Sequence, residues 1–438
     1  MKTPPRLLAP LLFVCLAATS CFGTPKPSPS VSVPSSSSTD PEPSPSNPSS
    51  SPTDPEPSPS NPSNSPTDPK PSPSNPSGSL ADPNATPETR NLLQRLHAQQ
   101  GKGILFGHQH DLSMGFTFNT GDGKASDTLT AVGDHPAVFG WDSLVLDGDE
   151  APGDPDATRE TNLNALIRMF KQADELGGVN TLTMHLPNPL TGKDFYDTSG
   201  DAVAAILPGG ARHSDLTARL DRVADAIAGA KRPDGTPIPV ILRPWHERNG
   251  SWFWWGEGHA TDQQYVELFR FTVEYLRDTR GLHNLLYAYS PNSPLNADPG
   301  TYLNGYPGDD YVDIFGYDSY DETGNGQEWL RSVTADLAMV VKLADAHGKV
   351  PAWTEFGPYE GVQPEPHWFT SVLGALEADE NASRIAWMMT WANYGHGDRE
   401  YAYIPYPAHG SYPEHPLLAD FRAFHDASST VFAKEWKQ

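Results

Sequence analysis

From about residue 100 onward, short apolar runs alternate with longer stretches in which apolar residues recur every three or four positions. The runs read as buried strands, and the longer stretches as helices with one face turned toward a core. Eight strand candidates stand out, at 103–107, 137–141, 180–184, 239–242, 284–289, 312–317, 350–354 and 384–389. Helical spacing fills 158–176 through Leu163, Leu166, Ile167 and Phe170. It recurs in 216–230 through Leu220, Val223, Ala224 and Ile227, and in 330–346 through Leu337, Val340, Val341 and Ala344. The stretch 261–277 opens with Thr261 and Gln264, the spacing of a capping box. Strands alternating with helices predict a mainly parallel sheet, and eight such units predict an α/β fold of the (β/α)8 barrel type. The helix faces themselves read as packing surfaces.

Ahead of the barrel the pattern stops. Lys2 and Arg6 precede an apolar stretch, 7–18, too short for a permanent membrane span, and small residues lead to Cys21. Residues 1–21 thus read as an export signal, with lipid attachment at Cys21 or ordinary cleavage nearby. A 14-residue Pro/Ser-rich unit then begins at Asp40, Asp54 and Asp68. It has almost nothing to bury, so 22–81 is expected to be an extended tether with polyproline II character, able to reach more than about 100 Å. Its serines and threonines make glycosylation possible. The catalytic domain is expected at 82–438. The protein is expected outside the cytoplasm, secreted or held at a bacterial surface, its only membrane attachment the lipid at Cys21, and to act as a monomer.

Charge and cysteine content narrow the chemistry. The formal net charge is −25, which argues against nucleic acid or anionic lipid as a partner. A neutral polymer meets no such repulsion. The only cysteines are Cys15 and Cys21, so no internal disulfide and no cysteine-bound metal is expected once the signal is removed.

Polar residues gather at the carboxyl ends of the predicted strands, where barrel enzymes place their reactive groups. The first strand leads to His108-Gln109-His110-Asp111, the third to His185, and the fourth to His246 and Glu247. The fifth leads to Ser290-Pro291-Asn292, the sixth to Asp318 and Tyr320, the seventh to Glu355, and the eighth to Trp391. Glu247 is followed by Trp252-Phe253-Trp254-Trp255. Flat apolar rings suit a sugar, and an apolar setting raises a glutamic acid toward neutral pH. Strands four and seven are expected to face each other across the barrel, bringing Glu247 and Glu355 together as the two carboxyls that glycoside cleavage needs. Trp252 is expected to face substrate and at least one of Trp254 and Trp255 to be structural.

Residues 82–438 resemble glycoside hydrolase family 26, whose main activity is endo-β-1,4-mannanase. The resemblance rests on Arg-Pro-Trp-His-Glu-Arg-Asn-Gly-Ser-Trp-Phe-Trp-Trp-Gly at 243–256, Tyr-Pro-Gly-Asp-Asp-Tyr-Val-Asp at 306–313, Gly-Tyr-Asp-Ser-Tyr at 316–320 and Trp-Thr-Glu-Phe-Gly at 353–357. It implies a retaining mechanism with Glu247 as acid/base and Glu355 as nucleophile, acting on mannan, glucomannan or galactomannan without cofactor or metal. It also implies that His185, Trp252, Asp318 and Trp391 surround the sugar at the cleavage point. Tyr320 is expected to hold Glu355, and His246 to position Glu247 or Glu355. Ala392 stands where family members often carry an arginine, which affects distal sugar binding. Three alternatives stay open. One is β-1,3-xylan or mixed-linkage β-glucan as substrate. Another is a non-catalytic glycan-binding barrel. The third is a metal-dependent hydrolase built on His108 and His110, for which the later strand ends lack ligands.

Overall fold

The computed structural model describes residues 80–118, 123–322, 326–358, 366–396 and 399–436. The expected export signal, the lipid site at Cys21 and the tether as far as residue 79 lie outside the described residues.

The eight expected strands are present and form a closed parallel ring. β1 (Ile104–Gln109), β2 (Val138–Asp142), β3 (Val179–Met184), β4 (Val240–Pro244) and β5 (Leu285–Tyr289) follow one another around it. The sixth and seventh staves are each broken in two. β6 (Ile314–Phe315) pairs with β5 and with β8 (Val350–Pro351). β7 (Asp318–Asp321) pairs with β9 (Trp353–Pro358). β9 pairs with β10 (Trp387–Thr390), and β10 closes the ring on β1. The expected helices also form, and Thr261 caps Asp262–Glu274 reciprocally with Gln264.

Two apolar layers hold the ring. Inside it, Leu105, Val138, Val179, Ile241, Leu286, Ile314, Val350 and Met389 pack together. Leu92, Leu93 and Leu96 of the helix Pro87–Gln99 join that cluster from the amino-terminal mouth, with Trp436. Arg95 lies 3.8 Å above the Trp436 ring and covers it. Outside the ring, a larger cluster fills the space between strands and helices. Apolar filling stops at the carboxyl ends of the strands. There the inward positions become Asp142, Thr183, Arg243, Ser290, Asp318 and Thr354, all buried. This switch from apolar to polar along six of the eight staves positions the site.

The structure moves some boundaries. His108 and Gln109 lie on β1 rather than after it, and Asp318, Tyr320 and Glu355 lie within strands. The break between β6 and β7 falls at Gly316, where a Cβ would meet Thr354 Oγ1 at 2.7 Å and Ser290 Cβ at 2.9 Å. The hairpin Tyr394–His396/Arg399–Tyr401 and the strand Thr430–Val431 beside β1 carry no clear periodicity in the sequence.

Truncating Leu286 tests the inner layer. Leu286→Ala is expected to destabilise the domain by about 2–5 kcal/mol, because the ring cannot collapse around the cavity. Denaturant titration should show a lower midpoint at unchanged slope.

Candidate functional site

The polar layer is organised by Arg243, near the end of β4 and fully buried. Its Nη1 donates to Asp318 Oδ2 at 2.7 Å, and its Nη2 donates to Glu355 Oε1 and to Thr183 Oγ1, the latter at 3.1 Å. Asp318 also accepts from Ser290 Oγ at 2.6 Å and from Thr354 Oγ1 at 2.7 Å. The second oxygen of Glu355 accepts from the Tyr320 hydroxyl at 2.7 Å. One guanidinium thus serves two carboxylates, and polar hydrogens from three strands complete their shells. Burial raises Asp318 to about 7, with Arg243 pulling the other way and Glu355 adding to the rise.

Glu247 sits beside this group and is buried. Its Oε2 accepts from Trp252 Nε1 at 2.7 Å. Burial pushes it well above the usual 4.5, and the neighbouring charges of Asp318 and Glu355 push the same way. The two glutamates therefore differ. Glu355 accepts from two donors, Arg243 and Tyr320, whereas burial and neighbouring charge hold Glu247 toward its neutral form.

The chain around Glu247 is strained and well braced. Trp245 and Glu247 have φ of 53° and 54°, a region that non-glycine residues avoid. The turn is pinned by Glu247 N–H to Ser290 O at 2.7 Å, Tyr265 hydroxyl to Trp245 O at 2.8 Å and Trp255 Nε1 to His246 O at 2.9 Å. Trp254 and Trp255 are both buried, and Trp254 Nε1 donates to Leu186 O at 2.7 Å. Both are thus packing residues. Trp252 is half-buried and joins the site through its bond to Glu247.

The histidines divide into two groups. His185 Nδ1 lies 2.6 Å from Asp142 Oδ2, and its ring meets His246 edge-on at 4.5 Å. Burial, then Arg243 and His185, hold His246 well below an ordinary histidine. His246 Nδ1 has no hydrogen-bond partner among the described residues, and its ring packs on Phe253 and Trp255. No described hydrogen bond joins it to Glu247 or Glu355. Trp391 is buried with Ala392, Tyr401 and Tyr403, its ring 6.3 Å from that of His185. The pair His108 and His110 does not converge: His108 Nδ1 meets Asp111 at 2.7 Å, while His110 Nε2 meets Glu150 at 2.7 Å. No group of three metal-ligating side chains is found among the described residues.

The expected facing of strands four and seven needs correction. The fifth and sixth staves lie between them, so they are three places apart on the ring, and Arg243 rather than open space links β4 to Glu355. Arg243, Thr183, Thr354 and Asp142 were not singled out as site residues, and Ser290 was noted only for its place at the end of the fifth strand. The signal for Arg243 was its place two residues before His246's neighbour Trp245, on the inward face of β4. The two threonines carried none.

The sequence model of Glycosyl hydrolase family 26 matches residues 81–389. A mannan endo-1,4-beta-mannosidase of Bifidobacterium adolescentis is 43% identical over 361 residues, covering 80% of this chain and 35% of that protein. One from Bacillus subtilis is 30% identical over 248 residues, covering 54% of this chain and 63% of that protein. The chain thus spans about a third and under two thirds of these relatives. Among solved structures, a modular endo-beta-1,4-mannanase from Cellulomonas fimi aligns with TM-score 0.77 and 46% identity, over 81% of this chain and 78% of that one. The catalytic domain of a Bacillus sp. JAMB-750 endo-beta-1,4-mannanase aligns with TM-score 0.78 and 42% identity, over 82% and 96%.

The raised Glu247 gives a signed prediction. A carboxyl raised in the folded state binds its proton more tightly there, so its contribution to stability is complete below about pH 4.5 and is lost as pH rises through the folded value. Glu247→Gln removes that loss. Its stability relative to the parent should increase as pH rises from 4.5, read as denaturant midpoints at successive pH. A difference constant with pH would refute the assignment.

Proposed function

The chain belongs to glycosyl hydrolase family 26, and on that premise we propose that it is a retaining endo-β-1,4-mannanase acting on mannan, glucomannan or galactomannan. The observation that carries the reading is the unequal pair: Glu247 pressed toward the neutral acid, and Glu355 bound by the Arg243 guanidinium and the Tyr320 hydroxyl. Double displacement requires that inequality. The mannan endo-1,4-beta-mannosidase at 43% identity and the two endo-beta-1,4-mannanase structures at 46% and 42% identity support mannan as the polymer.

In the first step Glu355 attacks the anomeric carbon while Glu247 gives its proton to the departing glycosidic oxygen. Forming the glycosyl ester consumes the negative charge on Glu355, one of the charges that hold Glu247 high. Glu247 then accepts a proton from water, which attacks the ester and frees Glu355. Asp318 and Arg243 keep their pairing through both steps and fix the nucleophile's position. Exported location and lipid attachment at Cys21 belong to the same reading and rest on the sequence features at 1–21.

Reducing-sugar release should be highest on glucomannan or galactomannan, with β-1,3-xylan and mixed-linkage β-glucan well below. Preference for either of the last two would overturn the substrate. Glu355→Ala is expected to abolish turnover while leaving polysaccharide binding, and unchanged turnover would sink the enzyme reading. Glu247→Ala should lose about 10²–10⁴-fold on polysaccharide. Azide should restore activity in that variant on an aryl mannoside and yield a β-glycosyl azide, since the intermediate opens without base assistance. An α-azide would contradict retention.

A further inference from the structure

We propose that Asp142 is a positioning residue that fixes the tautomer in which His185 meets the sugar. This rests on reading the cleft as a sugar site. Asp142 ends β2, in register with Thr183 of β3, and is completely buried. Its Oδ2 lies 2.6 Å from His185 Nδ1. Its Oδ1 accepts the backbone N–H of Leu144 at 2.9 Å and that of His185 at 3.4 Å. The carboxylate is therefore committed on both oxygens, and its own orientation is set by backbone.

The ring walls cannot make the same choice. His185 is bounded by Phe195 at 4.5 Å, His246 at 4.5 Å, Phe253 at 5.3 Å and Trp391 at 6.3 Å between ring centroids. These flat neighbours fix the plane of the imidazole but are indifferent to which edge carries the proton. A carboxylate accepts only, so Nδ1 must be the donor, and Nε2 of the neutral ring is then an acceptor. Such a nitrogen accepts a hydrogen bond from a sugar hydroxyl. In the opposite tautomer it would present a hydrogen, and the same hydroxyl would have to turn. Ser143 Oγ donates to His185 O at 3.2 Å and ties the two strand ends together, so loss of the carboxylate need not displace the backbone.

The tautomer can be read without any variant. In the full chain labelled with 15N-histidine, long-range 1H–15N correlation should show His185 protonated at Nδ1, and an Nε2–H tautomer would overturn the proposal. Asp142→Ala should mix the tautomers and lower kcat/KM on mannan roughly ten- to hundredfold, the usual effect of removing a histidine's orienting partner. His185→Ala should lose a similar amount, and the double variant little more than either alone. Losses that multiply would place Asp142's effect elsewhere in the fold and overturn the proposal. Asp142→Asn keeps an acceptor oxygen, and partial recovery over Asp142→Ala is expected, with no recovery counting against it. If the parent chain releases no sugar from any mannan, the enzyme reading fails, while the 15N measurement still decides the role of Asp142.

Discussion

Asp318 and Glu355 are direct cross-strand partners on adjacent parallel strands. Two carboxylates at that spacing repel, and both are buried, Asp318 completely and Glu355 at 4% exposure. Arg243 reaches between them from β4 and donates to both. The barrel can place two acids side by side only because this cation is already there. The compensation is incomplete, since one positive charge meets two negative ones. The remaining imbalance falls on the third carboxyl nearby, Glu247, whose ionisation would add another buried negative charge. Its shift is thus a property of the group and not of its own contacts alone.

Such a group needs a rigid frame. Left-handed backbone at Trp245 and Glu247 costs roughly 1–3 kcal/mol at each residue. That strain persists because three hydrogen bonds and the Trp245, Trp254 and Trp255 rings over-determine the turn. The aromatic run following Glu247 is mainly this brace. Only Trp252 leaves the packing to touch the acid. The broken sixth and seventh staves serve the same end. With Gly316 at the break, β7 and β9 can pair above the apolar interior and turn Asp318 and Glu355 inward.

The ring of eight strands was legible because each strand is a short apolar run bounded by turns, and because the helices between them keep their spacing. Glu247 and Glu355 were legible because each stands in a distinctive run at a strand end. Arg243 was visible in that same run but not its task. An arginine inside an apolar strand has no periodicity to mark it, and its partners lie 75 and 112 residues away. Asp142 was hidden more thoroughly, since an aspartate after Trp141 also reads as a helix cap, and it does accept from Leu144 N–H. No described hydrogen bond takes His246 to either glutamate, and its ring turns toward His185 and the aromatic wall. The break in staves six and seven needed the third dimension, because it depends on Gly316 meeting Thr354 and Ser290.

The bond from Trp252 to Glu247 favours one of its two oxygens as the one that delivers the proton. A neutral carboxyl has one O–H and one oxygen that only accepts. Trp252 Nε1 is a donor with no accepting capacity, and it occupies Oε2 at 2.7 Å. The acidic hydrogen therefore belongs on Oε1, the oxygen left for a departing group. The same N–H stabilises the carboxylate once the proton has gone, since a hydrogen bond to a charged oxygen is the stronger one. Trp252 thus opposes the raised pKa of Glu247 without cancelling it. Burial and the two neighbouring carboxylates make Glu247 hold its proton, while Trp252 orients that proton and eases its release. An acid with only the first influence would hold too tightly, and one with only the second would be ionised before the substrate arrived.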